Sequence, residues 1–174
     1  MSHSRRPVLE LGVVDFGVET VELPNGLTVD LAVVRHPGAS AVVALDDTNR
    51  IVMLSQWRHA IGGYLWEIPA GCRQDDEPPA ECARRELREE TGLVASTWHH
   101  LGTIVTVPSF SDERIDIYLA RDLRQGEREP EPDEIIRVSW FELDRALEMI
   151  TAGEIVDAKT ISAIHYLLAH LGRR

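Results

Sequence analysis

Cysteine is nearly missing from this chain. The 174 residues include two, Cys72 and Cys82, and neither belongs to a Cys-x-x-Cys pair or to a Cys/His set with zinc spacing. That excludes a disulfide framework, and a reduced, cytoplasmic protein is the simplest reading. No apolar run is long enough to span a membrane. Positive charge is also scarce, with 18 Lys and Arg against 29 Asp and Glu and a formal net charge of −11. A nucleic acid or an anionic membrane is therefore not expected as a partner, because basic patches supply most of the affinity for either. A phosphate substrate stays open, since a bound cation can reverse the local sign. There is no internal repeat and no low-complexity tract. The start, Ser4 to Leu9, carries two arginines before a short apolar stretch, in the manner of a twin-arginine signal. Glu10 and Asp15 interrupt that stretch and no small-residue cleavage site follows, so a frayed, soluble N-terminus is expected.

What is present is an ordinary globular composition, 44% hydrophobic, in a length that suits one domain or one domain with a small extension. Glu19 to Leu23 and Leu27 to Val34 read as strands around Pro24-Asn25-Gly26, a hairpin signal. His36-Pro37-Gly38 then marks a boundary between an N-terminal strand unit, residues 1–37, and the main domain, residues 38–174. Ala39 to Leu45 and Ile51 to Gln56 are expected to pair across the polar turn 46–50. Trp66 to Gly71 reads as a short strand ending in a turn. Pro78-Pro79 opens a helix that runs to about Thr91, with Gly92 as its C-terminal cap. Leu101 to Val107, Arg114 to Ala120 and Ile135 to Phe141 are further strands, separated by a polar, proline-broken loop from Gln125 to Glu134. Leu143 to Ile150 is a short helix. A last helix carries Ile161, Ile164, Leu168 and Leu171 on one face. The order suggests an α/β sandwich with a mixed sheet.

The informative segment runs from Gly71 to Leu93. On its helix Glu86 and Glu90 are one turn apart on a shared face, with Glu89 beside them, while Ala80, Ala83 and Leu87 form the stripe that packs on the sheet. Clustered carboxylates repel one another along a helix edge. Hard cations such as Mg²⁺ or Mn²⁺ favour such oxygen ligands and would relieve the repulsion. A charged run alone reads as a solvated face, since glutamate is a good helix former. Here, however, the glutamates belong to a longer pattern: Gly71, Glu77, Arg85-Glu86-Leu87, Glu89-Glu90 and Gly92-Leu93. This matches at every fixed position the signature G-x5-E-x7-R-E-U-x-E-E-x-G-U, with U apolar, and so resembles the Nudix hydrolase family.

The resemblance implies a Nudix-type α/β/α sandwich with a mixed sheet and a small N-terminal β unit. It implies cleavage of a nucleoside diphosphate linked to another group, with Mg²⁺ or Mn²⁺ as cofactor. Glu86 and Glu90 would be the main metal ligands, Glu89 a further or water-mediated one, and the carbonyl of Ala70 another. Arg85 and Glu77 would pair to brace the helix. Pro108, sixteen residues after Gly92, the segment Ser109-Phe110-Ser111-Asp112-Glu113, Gln56-Trp57-Arg58 and Trp66 to Gly71 together resemble the ADP-ribose pyrophosphatase branch. Ser109 departs from that branch, which often has glycine there, so the loop is expected to sit differently.

In that branch a glutamate of a late loop serves as base. Glu134 aligns best, with Glu131 and Glu113 in reserve. Arg58 would grip a phosphate, Glu67 would accept hydrogen bonds from a base or ribose, and Glu113 would line the substrate. Phe16 would stack on adenine across the interface of a homodimer or serve a core. Trp66 is expected to pack in the core, and the histidines carry no ligand spacing. The expected reaction converts ADP-ribose or a related ADP-sugar to AMP and a sugar phosphate. The rivals are another nucleotide sugar such as GDP-mannose, an oxidised nucleoside triphosphate, and a sensing Nudix domain without catalysis.

Overall fold

The computed structural model describes residues 3–129 and 135–173. Among them the chain forms ten strands and three α-helices in the order β1 (His3–Leu11), β2 (Val14–Glu22), β3 (Thr28–Arg35), β4 (Ala39–Ala44), β5 (Arg50–Arg58), β6 (Gly63–Glu67), β7 (Ala70–Cys72), α1 (Pro79–Thr91), β8 (Leu93–Val105), β9 (Arg114–Gln125), β10 (Ile136–Glu142), α2 (Leu143–Thr151) and α3 (Ala158–His170). They make three sheets, ordered β1-β2-β3, β10-β5-β6 and β7-β4-β9-β8. The last is mixed, because β4 runs parallel to β9 and antiparallel to β7. No helix among the described residues is long and apolar enough to cross a membrane.

Strand β4 explains the layering. All six of its residues are buried, and successive side chains of a strand point to opposite faces. Ala39, Ala41 and Val43 join Ile117 and Leu119 of β9, Leu143 and Met149 of α2, and Ile164 and Leu167 of α3 in one core. Val42 and Ala44 join Ala83 and Leu87 of α1 and Ala120 in a second. The sheet is therefore covered on both faces, which gives the expected mixed-sheet α/β sandwich.

Two expectations are corrected. The chain start is not frayed: β1 pairs along its length with β2, with a register shift between Pro7 and Leu9. An edge strand tolerates such a proline because one row of its backbone groups faces away from the sheet. Strands β4 and β5 also do not form a hairpin. Their backbones pair only at the isolated bridge Leu45 to Ile51, and β5 instead lies between β10 and β6. The turn 46–50 does close, with Asp46 accepting from the backbone of Thr48 and Arg50, but the two strands then part into different sheets. The hairpin between β2 and β3 forms as expected, in register from Asp15–Arg35 to Glu22–Thr28.

Candidate active site

Helix α1 starts at Pro79 and stops at Gly92, whose φ of 75° lets its N–H reach back to the carbonyl of Arg88. Proline's fixed φ suits the first turn, and glycine suits the left-handed cap. Its buried residues fall into two parallel rows four apart: Cys82, Glu86 and Glu90, and Ala83, Leu87 and Thr91. The second row enters the core below β4. The first faces β7. Cys82 Sγ contacts the carbonyl of Gly71 at 3.5 Å, and Glu90 Oε2 accepts from the Ala70 N–H at 2.9 Å. Glu86 lies so close to Gly71 that a Cβ there would sit 2.1 Å from Glu86 Oε1. Glycine at 71 is thus the residue that lets a carboxylate lie against the backbone.

Arg85 organises the cluster. Its Nε and Nη2 donate to the two oxygens of Glu77 at 2.8 and 2.9 Å, and Nη2 also reaches the Cys72 carbonyl at 3.0 Å. Nη1 bridges Glu86 at 2.6 Å and Glu89 at 3.0 Å. The Arg85 hydrogen bonds hold the Glu77 carboxyl at about 2, below its ordinary range. Among the described residues no three acidic, histidine or cysteine side chains are gathered as a finished cation cage; the guanidinium shares the oxygens of Glu86 and Glu89. The donors nonetheless fit a hard divalent cation, since they are carboxylate oxygens beside a glycine cradle that a methyl group would fill. Burial pushes both thiols up, Cys82 to about 11, so neither is a nucleophile at neutral pH.

Beside β7 opens a cleft of about 530 Å³ whose walls include Arg58, Glu67, Ala70, Gly71, Glu113 and Lys159. Arg58 donates its Nε and Nη2 to Glu67 at 2.8 and 2.7 Å. Burial would raise the Glu67 carboxyl, but the Arg58 hydrogen bonds and the Lys159 charge outweigh it and hold it below its ordinary value. Glu113 takes a hydrogen bond from Thr106 and lies 3.5 Å from His36 Nε2. The turn before it is anchored to β3: Arg35 pairs with Asp112 at 2.8 Å, and Asp112 also accepts from the His36 N–H at 3.0 Å.

Of the residues expected from sequence, Ala70, Arg58, Glu67 and Glu113 therefore meet at one cleft, with Glu86, Glu89, Glu90 and Arg85 at its β7 end. Phe16 lies half-buried in β2, on the N-terminal sheet. Trp66 packs edge-on against Phe141 at the rim of the larger core. Glu134 and Glu131 lie outside the described residues. The chain before them is held on α1: Gly126, Arg128 and Glu129 donate to the carbonyls of Gly92, Glu90 and Glu89. The chain after them is held on β5, where Trp57 N–H donates to the Ile135 carbonyl. Sequence reading missed His36, Thr106, Asp157, Lys159 and Thr160. Lys159 had one signal, being the only lysine in the chain.

Residues 34–164 match the NUDIX domain family. The chain is 41% identical over 157 residues to an ADP-ribose pyrophosphatase of Bacillus subtilis (strain 168), spanning 89% of this chain and 85% of that one. It is 43% identical over 149 residues to an ADP-ribose pyrophosphatase of Mycobacterium tuberculosis (strain ATCC 25618 / H37Rv), spanning 84% and 72%. A crystal structure of an ADP compounds hydrolase shares its fold, with a TM-score of 0.83 over 98% of this chain and 95% of that chain at 20% identity.

Proposed function

The chain belongs to the Nudix hydrolase family, and from that premise we propose that it hydrolyses the diphosphate bond of ADP-ribose or a closely related ADP-sugar to AMP and a sugar phosphate. The observation that carries the reading is the junction of two features. The carboxylate row of α1 meets the Ala70-Gly71 backbone, and the same backbone forms one end of the Arg58–Glu67 cleft. Two relatives of more than 40% identity bear that activity in their names. GDP-mannose or another nucleotide sugar is the second substrate to test.

A divalent cation, Mg²⁺ or Mn²⁺, would be held by Glu86, Glu90, Glu89 and the Ala70 carbonyl. It would neutralise the diphosphate and acidify a bound water. Arg85 holds Glu86 and Glu89 on its Nη1 and is itself fixed by Glu77, so the ligands are oriented before substrate arrives. Arg58 sits on the cleft wall where a phosphate would need a donor. Glu134 is the proposed base, on its alignment with the late-loop glutamate of the ADP-ribose pyrophosphatase branch, with Glu113 on the cleft wall in reserve. Glu134→Gln should lower kcat by roughly a hundred- to ten-thousandfold with KM little changed, and Glu131→Gln should be milder; the reverse ranking in steady-state kinetics would transfer the role to Glu131.

We further propose a homodimer built through the N-terminal unit. Val8, Leu9, Leu11, Val13 and Val14 are all at least 40% exposed there, and exposed apolar side chains concentrated in one segment are of the kind that marks an interface. Phe16 of that unit would then serve the neighbouring subunit's cleft. Two free cysteines fit a cytoplasmic setting. The test is AMP release from ADP-ribose by purified protein. It should require Mg²⁺ or Mn²⁺, stop on chelation and exceed AMP or GMP release from other nucleotide sugars. Activity persisting in excess chelator would overturn the metal mechanism, and faster GDP-mannose turnover would overturn the substrate.

A further inference from the structure

Four charged side chains form one wall of the cleft: Arg58, Glu67, Asp157 and Lys159. Glu67 is only 2% exposed. Arg58 claims both its oxygens, and Lys159 Nζ donates to the same Oε2 that Arg58 Nη2 uses. Lys159 also donates to Asp157 Oδ2 at 2.9 Å. Asp157 is the N-cap of α3, accepting from the Thr160 N–H at 3.0 Å, and Thr160 Oγ1 accepts from the Ile68 N–H at 3.0 Å. The first turn of α3 is thus bonded to the end of β6, beside the segment that leads into Ala70 and Gly71.

Two cations on one buried carboxylate is more than pairing alone requires. Arg58 lines the same cleft as Ala70 and Gly71, where the diphosphate is proposed to lie, and it also feels the charge of Glu90. A phosphate that takes the fork of Arg58 withdraws it from Glu67, and a buried carboxylate stripped of its partner is strongly unfavourable. We propose that Lys159 is a positioning residue that keeps Glu67 compensated, so that Arg58 can be shared between Glu67 and the diphosphate of the substrate. A lysine suits this role better than an arginine. Its ammonium is a compact point charge that can hold Oε2 alone, whereas a second planar fork would compete with Arg58 for both oxygens. The inference rests on the proposed hydrolysis of a nucleoside diphosphate sugar and adds a residue to it.

The test is a double-mutant cycle read by steady-state kinetics with ADP-ribose and Mg²⁺. Lys159→Met should raise KM by about tenfold with kcat nearly unchanged, the pattern of lost uniform binding. In that variant Arg58 must stay on Glu67. In a Glu67→Gln background, where the buried charge is gone, the same substitution should raise KM by less than about threefold over Glu67→Gln alone. Lys159→Arg, which keeps the charge but brings a fork, should be intermediate. A tenfold rise in that background too would overturn the proposal, because a lysine that touched substrate directly would be missed whether or not Glu67 is charged. A purely structural lysine would lower thermal stability without this dependence of KM on Glu67. A second readout needs no turnover. With ¹⁵N-lysine the protein carries one side-chain ammonium signal, which should move in Glu67→Gln; an unmoved signal would overturn the pairing itself. Should ADP-ribose not be hydrolysed, the functional reading fails by that result alone. The ammonium signal still decides the pairing, and the cycle is run with whichever nucleoside diphosphate sugar is turned over.

Discussion

A single methyl group is enough to separate Gly71 from Glu86. Gly71 is not in a left-handed conformation, so alanine meets no backbone strain there, only the Glu86 carboxylate 2.1 Å from its Cβ. Gly71→Ala should therefore leave the fold intact by circular dichroism and lower kcat by about a hundredfold or more, since an ångström of misplacement costs that much. Glu77 offers a test by pH. Its carboxyl is held at about 2 against an ordinary 4.5. A carboxyl lowered on folding contributes stability in full above its unfolded value, and loses it as the pH falls toward the folded one. Denaturant unfolding should thus find Glu77→Gln less stable than the parent at pH 7, with the gap closing between pH 4.5 and about 2. These residues were legible in the sequence because the signature fixes them at short spacing. Lys159 was not, because its partner Glu67 is 92 positions away and no local pattern joins them.

Helix α1 binds two surfaces at once, and that makes it sensitive in two ways. Leu87 is fully buried against β4 in the row next to Glu86 and Glu90. Leu87→Ala should cost about 2–5 kcal/mol of stability, measured by denaturant unfolding. It should also reduce kcat, because the carboxylate row shares the same helix. The bounds of α1 could be read directly, since Pro78-Pro79 and Gly92 punctuate it by backbone chemistry. The partners of β4 could not. A strand buried on both faces shows no alternation, so its sequence says that it is central but not what flanks it. The polar turn 46–50 imitates a hairpin turn, and only the parallel pairing with β9 reveals that the chain changes sheets there. Strand β1 was missed for the opposite reason. Its charged residues and Pro7 read as an unstructured start, yet Arg5 pairs with Asp15 across the ladder and approaches the buried Glu19.

On the scale of the whole molecule, the N-terminal sheet and the cleft are mechanically joined. Arg35 pairs with the buried Glu19 at 2.8 and 2.6 Å inside that sheet and with Asp112 outside it, and Glu113 follows Asp112 into the cleft. Removal of residues 1–36 should convert the proposed dimer to monomer in light scattering and raise KM for the substrate; a full-length monomer with full activity would remove the N-terminal unit from the assembly. The mixed sheet has a further consequence, in the time domain. Ala41 pairs with Ile117 and Val43 with Leu119, so β4 waits for most of the chain to be synthesised before its parallel neighbour exists. Sequence-distant pairing of this kind is slow and leaves apolar strand edges open meanwhile. During translation the stretch Ala39–Ala44, apolar except for Ser40, leaves the ribosome without its parallel neighbour, and the period between its emergence and that of β9 is when the nascent chain would benefit from a chaperone.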